Sequence, residues 1–308
     1  MKARILVIGG PTASGKSALA LELAEQLHGE LICADSLTVY RGLDIGSAKP
    51  STSDRQRVPH HLLDIRDPQQ PFTAADFRQE ALPVIADILR RGRRPMVVGG
   101  TGLYLRVLLG GLTEAPGEDP LLREQLKRRA EQEGSAALLE ELRRVDPLTA
   151  ERCHPNNLIR ILRALEVWYA SGRPLSVWQQ QHAFGDAPYT PLFLWLNHPR
   201  EALYQRIEQR VDTMLAAGLV AEVRGLLAAG VADDAKPLQA IGYKEVVSHL
   251  AGEIDGTQMS ELIKRNTRRL AKRQITWFKG EPAAEEVAYP QNSATILSAV
   301  STFFREGE

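Results

Sequence analysis

"VIGGPTASGKSALALELA", Val7 to Ala24, joins a short apolar run, a glycine-rich turn and an apolar-periodic segment headed by Lys16 and Ser17. The turn Gly10-Pro11-Thr12-Ala13-Ser14-Gly15-Lys16-Ser17 matches the phosphate-loop pattern G-x-x-x-x-G-K-[ST] at every fixed position. The physical demand behind that pattern is narrow. Two glycines let the backbone turn tightly, so that several N–H groups converge on one anion at the positive end of the following helix. Lys16 adds a mobile positive charge, and Ser17 is a candidate ligand for Mg²⁺. All eight residues are therefore candidate phosphate-binding positions, held between a strand and a helix.

Strand-like and helix-like signals alternate through the first third of the chain. Arg4 to Ile8 reads as a buried strand, and Lys16 to His28 as a helix stopped by Gly29. "ELICAD" (Glu30 to Asp35) and "LLDI" (Leu62 to Ile65) are further short strands. Thr73 is the expected N-cap of a helix reaching Arg91, ended by Gly92. "PMVV" (Pro95 to Val98) is another buried strand, followed by Gly99-Gly100-Thr101-Gly102. Such alternation predicts an α/β fold, a parallel sheet flanked by helices of the P-loop NTPase kind.

The texture changes at "GLTEAPGEDP" (Gly111 to Pro120), a Pro/Gly-rich boundary. From Leu121 to about His182 only helical periodicity is present, and strand character returns at "LFLWL" (Leu192 to Leu196). The division read from this is a core of residues 1–115 and 190–308 with a helical C-terminal part, and an inserted all-helical domain over 116–189.

Composition narrows the rest. With 44% hydrophobic and 25% charged residues the chain is that of an ordinary globular protein. Its formal net charge is +0, so any affinity for a polyanion must come from local patches. Cys33 and Cys153 form no disulfide framework and match no zinc spacing. The start "MKARILVIGG" has too short an apolar run for a signal peptide or a spanning helix, so the expected location is the cytoplasm. His60 and His61 lack a third metal ligand at useful spacing and read as structural. No extended apolar surface helix stands out, which favours a monomer.

Ligands of open α/β sheets lie at the carboxyl ends of the strands. Phosphoryl-transfer enzymes with such a loop carry a metal-holding Asp on a second apolar strand. "PMVV" instead ends in Gly99-Gly100-Thr101, whereas "ELICAD" ends in Asp35, followed by Ser36. Asp35 is thus the one carboxylate expected near the phosphates, as a metal ligand or as a catalytic base.

Eight further blocks carry a resemblance: "ADS" (Ala34 to Ser36), "VYRGLDIGSAKP" (Val39 to Pro50), "PHHLLDI" (Pro59 to Ile65), "GGTGLYLRVLLGGL" (Gly99 to Leu112), "HPNNLIRILRALEV" (His154 to Val167), "RVDTMLAAGL" (Arg210 to Leu219), "QAIGYKE" (Gln239 to Glu245) and "TRRLAKRQITWF" (Thr267 to Phe278). Together with the phosphate loop, in this order, they resemble the tRNA dimethylallyltransferases, also called tRNA isopentenyltransferases. The resemblance implies transfer of a dimethylallyl group from dimethylallyl diphosphate to N6 of the adenosine 3′-adjacent to the anticodon (position 37), with release of diphosphate. The loop would then hold the donor's diphosphate with Mg²⁺ on Ser17. Asp35 would be the base, Thr101 a hydrogen-bonding neighbour, and Arg210 would face the diphosphate. The alternatives are a nucleoside or nucleotide kinase, which rests on the loop alone, and an RNA-binding protein with structural ATP, which leaves Asp35 and Thr101 without a purpose. Some relatives carry a C-terminal zinc finger; no Cys/His cluster follows here, so none is expected.

Contacts with the tRNA anticodon stem-loop are implied at Asp35, Ser36, Leu37, Thr38 and Thr101; many relatives carry polar, base-reading residues where this chain has Leu37 and Thr38. In Asn157 to Ala170 the helical turn groups Leu158, Ile161, Leu162, Leu165, Trp168 and Tyr169, and leaves Arg160 and Arg163 opposite. The resemblance makes Ile159, Arg160, Ile161, Leu162 and Arg163 tRNA contacts, with Arg123. Glu261 to Lys279 carries seven basic residues against one acid, and Arg268, Arg269, Lys272 and Arg273 are expected on a phosphate backbone. Gln239, Gly242, Tyr243 and Lys244 complete the expected RNA contacts.

Overall fold

The computed structural model describes residues 2–112, 115–117, 119–182 and 187–307. Parts of the Gly111–Pro120 boundary therefore lie outside the described residues, as does the segment just after "His182". In chain order the elements are β1 (Ala3–Gly9), α1 (Lys16–Gln26), β2 (Gly29–Cys33), α2 (Thr52–Arg57), β3 (His60–His61), α3 (Ala74–Arg90), β4 (Arg94–Val98) and α4 (Gly102–Gly110). Five helices follow: α5 (Pro120–Glu133), α6 (Ser135–Val145), α7 (Pro147–Glu151), α8 (Leu158–Ser171) and α9 (Leu175–His182). The chain closes with β5 (Tyr189–Leu196), α10 (Arg200–Ala216), α11 (Leu219–Ala228), α12 (Tyr243–Leu250), α13 (Gly256–Lys279), β6 (Ala284–Val287) and α14 (Ser293–Arg305).

The strands form one parallel sheet in the order β3-β2-β4-β1-β5-β6. Both faces are covered, as parallel sheets require. Ile5, Leu6, Val7 and Ile8 are all 0% exposed. Successive side chains point to opposite faces: Ile5, Val7, Ile32, Val97 and Phe193 enter one core, and Leu6, Ile8, Leu31, Met96 and Leu194 the other. Thr73 caps α3 through a capping box, accepting the Asp76 amide at 3.2 Å while Asp76 accepts the Thr73 amide at 2.8 Å.

Three local expectations are corrected. Helix α1 ends at Gln26, and His28, at φ +52°, makes the turn; Gly29 is already in β2, paired with Arg94. Leu62 to Ile65 is no strand: pairing stops at His61, because Leu62 and Asp64 take φ of +62° and +57°. Strand β6 has no counterpart in the sequence reading. It is a four-residue edge strand whose Glu285 and Glu286 are exposed, so it lacks an apolar run.

The chain divides into two compact units, Met1–Leu109 with Pro188–Glu308, and Gly110–Ala187. The bounds expected from the sequence are 116 and 189 for the inserted helical domain. The second unit contains helices α5 to α9 around Leu126, Leu138, Leu142, Ile161 and Leu165. Among the described residues no helix is long and apolar enough to cross a membrane.

Candidate active site

β1 ends where Gly10 and Gly15 take φ of +144° and +90°, a region open to glycine at no steric cost. Gly15 leads directly into α1 with no side-chain cap, which leaves the first-turn amides of that helix to a ligand. Ser14 is 0% exposed and its Oγ has no hydrogen-bond partner among the described residues. The loop is tied from outside: His198, just beyond β5, bonds the Ser14 carbonyl at 2.7 Å. Gln274 on α13 accepts the Thr12 amide at 2.9 Å and donates to the Gly100 carbonyl at 3.0 Å.

The loop opens on a cavity of about 580 Å³ whose walls include Thr12, Lys16, Ser17, Asp35, Thr38 and Arg210. β4 separates β2 from β1, yet the carboxyl end of β2 still delivers Asp35 to the same cavity as Lys16. The Asp35 carboxylate accepts the Leu37 amide at 2.9 Å, a local turn that holds the side chain at the strand tip.

Lys16, Arg210 and Asp35 line this space together, with Lys49 and Asp54 on the same walls. Burial, with the nearby Arg210 guanidinium, brings Lys16 down to about 8, while Asp35 opposes the shift. Burial also lowers Arg210, again against the pull of Asp35. The three groups therefore feel one another, and the set keeps an excess of positive charge for an anion. Lys16 Nζ donates to the Pro11 carbonyl at 3.3 Å. Val211, Met214, Ile263 and Leu270 make an apolar part of the wall, from α10 and α13.

Thr101 is not a wall of this cavity. Its amide donates to the Ala34 carbonyl at 3.4 Å, and its carbonyl accepts from Tyr104 at 2.9 Å at the start of α4. Thr38 is 6% exposed, with an Oγ1 that has no hydrogen-bond partner among the described residues. Ser36 is exposed and Leu37 half-buried.

Several expected RNA contacts are buried instead. Ile161 and Leu162 are 0% and 3% exposed in the core of the helical unit, so their side chains face protein rather than RNA. Tyr243 is likewise buried, at 0%, with its ring packed inward, whereas Gly242, whose amide bonds Glu245, lines the cavity. Arg163 donates to the Pro116 and Gly117 carbonyls at 2.6 and 3.2 Å, and Arg123 lies 3.5 Å from Glu166. Tyr169, expected in the core arc, is 48% exposed and bonds Glu141. Ile159, Arg160, Gln239 and Lys244 are exposed.

On α13, Lys264 and Arg268 pair with Asp212 and Glu208 of α10 at 2.7 and 2.6 Å. Arg265, Arg269, Lys272 and Arg273 stay exposed without an ion pair among the described residues, spaced along one helical face. His60 Nδ1 bonds the Val58 carbonyl and His61 Nε2 bonds Glu30, each at 2.8 Å. Among the described residues no cluster of metal-ligating side chains exists. Both cysteines are free and buried, and burial pushes Cys33 up to about 12.

Gln274 and His198 escaped the sequence reading. A signal for Gln274 does exist: Ile263, Thr267, Leu270 and Gln274 all face the cavity at helical spacing, so a polar residue there sits on an otherwise inward face.

The family model for IPP transferase matches residues 38–281. The chain is 65% identical to tRNA dimethylallyltransferase 1 of Trichlorobacter lovleyi, over 99% of this chain and 100% of that protein. It is 54% identical to the tRNA dimethylallyltransferase of Geobacter metallireducens, over 98% of each. Among solved structures, the tRNA isopentenylpyrophosphate transferase of Bacillus halodurans superposes with a TM-score of 0.73 at 36% identity, over 99% of this chain and 98% of that one. A eukaryotic dimethylallyltransferase described as acting on tRNA superposes with a TM-score of 0.81 at 28% identity, over 99% of this chain and 80% of that one. Matched by the family model over most of its length and by relatives end to end, this chain belongs to the IPP transferase family, among the tRNA dimethylallyltransferases.

Proposed function

We propose that this protein transfers a dimethylallyl group from dimethylallyl diphosphate to N6 of the adenosine 3′-adjacent to the anticodon of tRNA, releasing diphosphate. The observation that carries this reading is the meeting of Lys16, Ser17, Asp35 and Arg210 in one cavity. Two cations and a helix amino end suit a leaving diphosphate; one carboxylate beside them suits an amine that must lose a proton.

On this reading the diphosphate sits in the phosphate loop at the head of α1. The allylic carbon–oxygen bond breaks and its electron pair leaves with the diphosphate, where Lys16, Arg210 and the loop amides offset the charge. The N6 lone pair forms the new carbon–nitrogen bond. A proton of that nitrogen passes to Asp35, which keeps the lone pair available as the bond forms; such help is typically worth about 10²–10⁴-fold. Val211, Met214, Ile263 and Leu270 give the prenyl chain a dry lining. The adenine must leave its stack to reach Asp35, at a cost of a few kcal/mol that contacts with the rest of the loop offset.

Mg²⁺ belongs to the same reading. The Ser17 hydroxyl, a hard oxygen donor on the cavity wall, would hold this ion, and Asp35 stays free to act as the base. When bound it supplies charge neutralisation on the leaving group. A monomeric, cytoplasmic enzyme accompanies the reading.

The test is direct. Labelled dimethylallyl diphosphate, Mg²⁺ and bulk tRNA are incubated with the protein, in parallel with ATP and nucleosides. Label entering RNA is the expected result. Phosphate transfer to a nucleoside without RNA labelling would replace the proposal with a kinase.

A further inference from the structure

One wall of the cavity, Gly46 to Lys49, has no part in the chemistry above. Residues 44–48 belong to no helix or strand, so their backbone donors need partners elsewhere. They converge on one carboxylate. Glu222, on α11, accepts the amides of Asp44 at 3.0 Å, Ile45 at 2.7 Å and Gly46 at 3.2 Å. Tyr243, at the start of α12, donates its hydroxyl to Glu222 at 2.8 Å and accepts the Ser47 amide at 3.1 Å. Four successive amides thus end on two side chains distant in sequence.

Consecutive N–H groups that converge in this way form a nest, which ordinarily captures an anion. Here the protein provides the anion itself. The contact is also steric: a Cβ on Gly46 would lie 2.5 Å from the Tyr243 ring, so the loop rests directly on that ring. Beyond the nest, Lys49 Nζ donates to the Tyr40 carbonyl at 2.8 Å and to Asp64 at 2.6 Å, which anchors the far end of the wall.

We propose that Glu222 and Tyr243 are positioning residues for prenyl transfer. They hold residues 44–47 so that the Gly46–Lys49 wall keeps its place, while neither residue lines the cavity. The activity readout rests on the function proposed above; the structural readout does not.

The experiment compares Glu222→Ala and Tyr243→Phe with wild type by steady-state kinetics and by amide hydrogen exchange. Glu222→Ala should lower kcat/KM by about tenfold or more, through KM rather than kcat, because a displaced wall misplaces substrate. Tyr243→Phe, which keeps the ring, should give a smaller loss in the same direction. In exchange, Asp44, Ile45 and Gly46 should lose protection in Glu222→Ala and chiefly Ser47 in Tyr243→Phe, with β1 and β4 unchanged. If Glu222→Ala does not fold, Tyr243→Phe decides alone. If wild type transfers no prenyl group, the proposed function falls and the exchange pattern still decides the clamp. Wild-type protection at residues 44–47, faster exchange spread over β1 and β4, or a kcat/KM within about twofold of wild type in both variants would overturn the proposal.

Discussion

Gln274 and Thr12 stand 262 residues apart in the chain, and the Gln274 side chain accepts the Thr12 amide at 2.9 Å. The Gln274 side-chain nitrogen donates in turn to the Gly100 carbonyl at 3.0 Å. One side chain on the last long helix thereby ties the phosphate loop to the turn after β4. Gln274→Ala should weaken donor binding and lower stability by about 1–3 kcal/mol, the range for a polar group left without its partner. Gln274→Glu keeps an acceptor for Thr12 but loses the donor to Gly100 and adds negative charge, so its KM for the prenyl donor should exceed that of Gln274→Ala. Calorimetry and donor KM check both; equal KM values in wild type and Gln274→Glu would refute the role.

Asp35→Asn keeps the size of the side chain and its capacity to accept the Leu37 amide while removing the base. Turnover should fall by about a hundredfold or more with tRNA binding retained. Single-turnover rates and filter binding measure the two quantities. A loss of less than about threefold would remove Asp35 from the role of base.

Lys16 sets a pH dependence. Its value of about 8 lies below the ordinary 10.5 because burial, then Arg210, disfavour the ammonium. The unfolded chain therefore binds more protons across that interval, and this group's contribution to stability increases as pH rises from about 8 to 10.5. Anion binding runs the other way. The free enzyme's affinity for inorganic diphosphate should decline as pH passes upward through about 8, relative to Lys16→Arg, whose guanidinium stays charged. Titration calorimetry of both proteins across this range checks it; parallel profiles would contradict the assignment.

The exposed basic face of α13 should act through phosphates. Removing Arg269, Lys272 and Arg273 together should weaken tRNA binding and flatten its salt dependence by roughly one unit of slope per side chain. Ile161→Ala should instead lower stability by about 2–5 kcal/mol through a cavity in the helical core. Binding isotherms at several salt concentrations, with melting curves, separate the two. An unchanged salt slope in the triple variant would clear this face of RNA contact.

What proved legible in the sequence was local. The phosphate loop needs glycine at two left-handed positions, and the capping box of α3 needs Thr73 and Asp76 three residues apart; both demands are met within a few residues. The buried strands β1 and β4 announced themselves as apolar runs. Strand β6 stayed hidden because an exposed edge carries no such run, and Leu62 to Ile65 misled because apolar residues also occur on a left-handed turn. Tyr243 and Ile161 sat in motifs that resemblance linked to RNA, while their packing depends on elements far along the chain.

Residue order alone settled that a phosphate loop opens an α/β core, that a helical segment interrupts it, and that the whole is similar to tRNA prenyl transferases. Tertiary structure decided that β4 lies between β1 and β2, that Asp35 nonetheless joins Lys16 and Arg210, and that Gln274 and Glu222 brace the loops around them. The reason is the range of the forces involved. Backbone conformation and capping answer to near neighbours, whereas a loop amide donates to whichever distant side-chain oxygen the packing of the helices brings within about 3 Å.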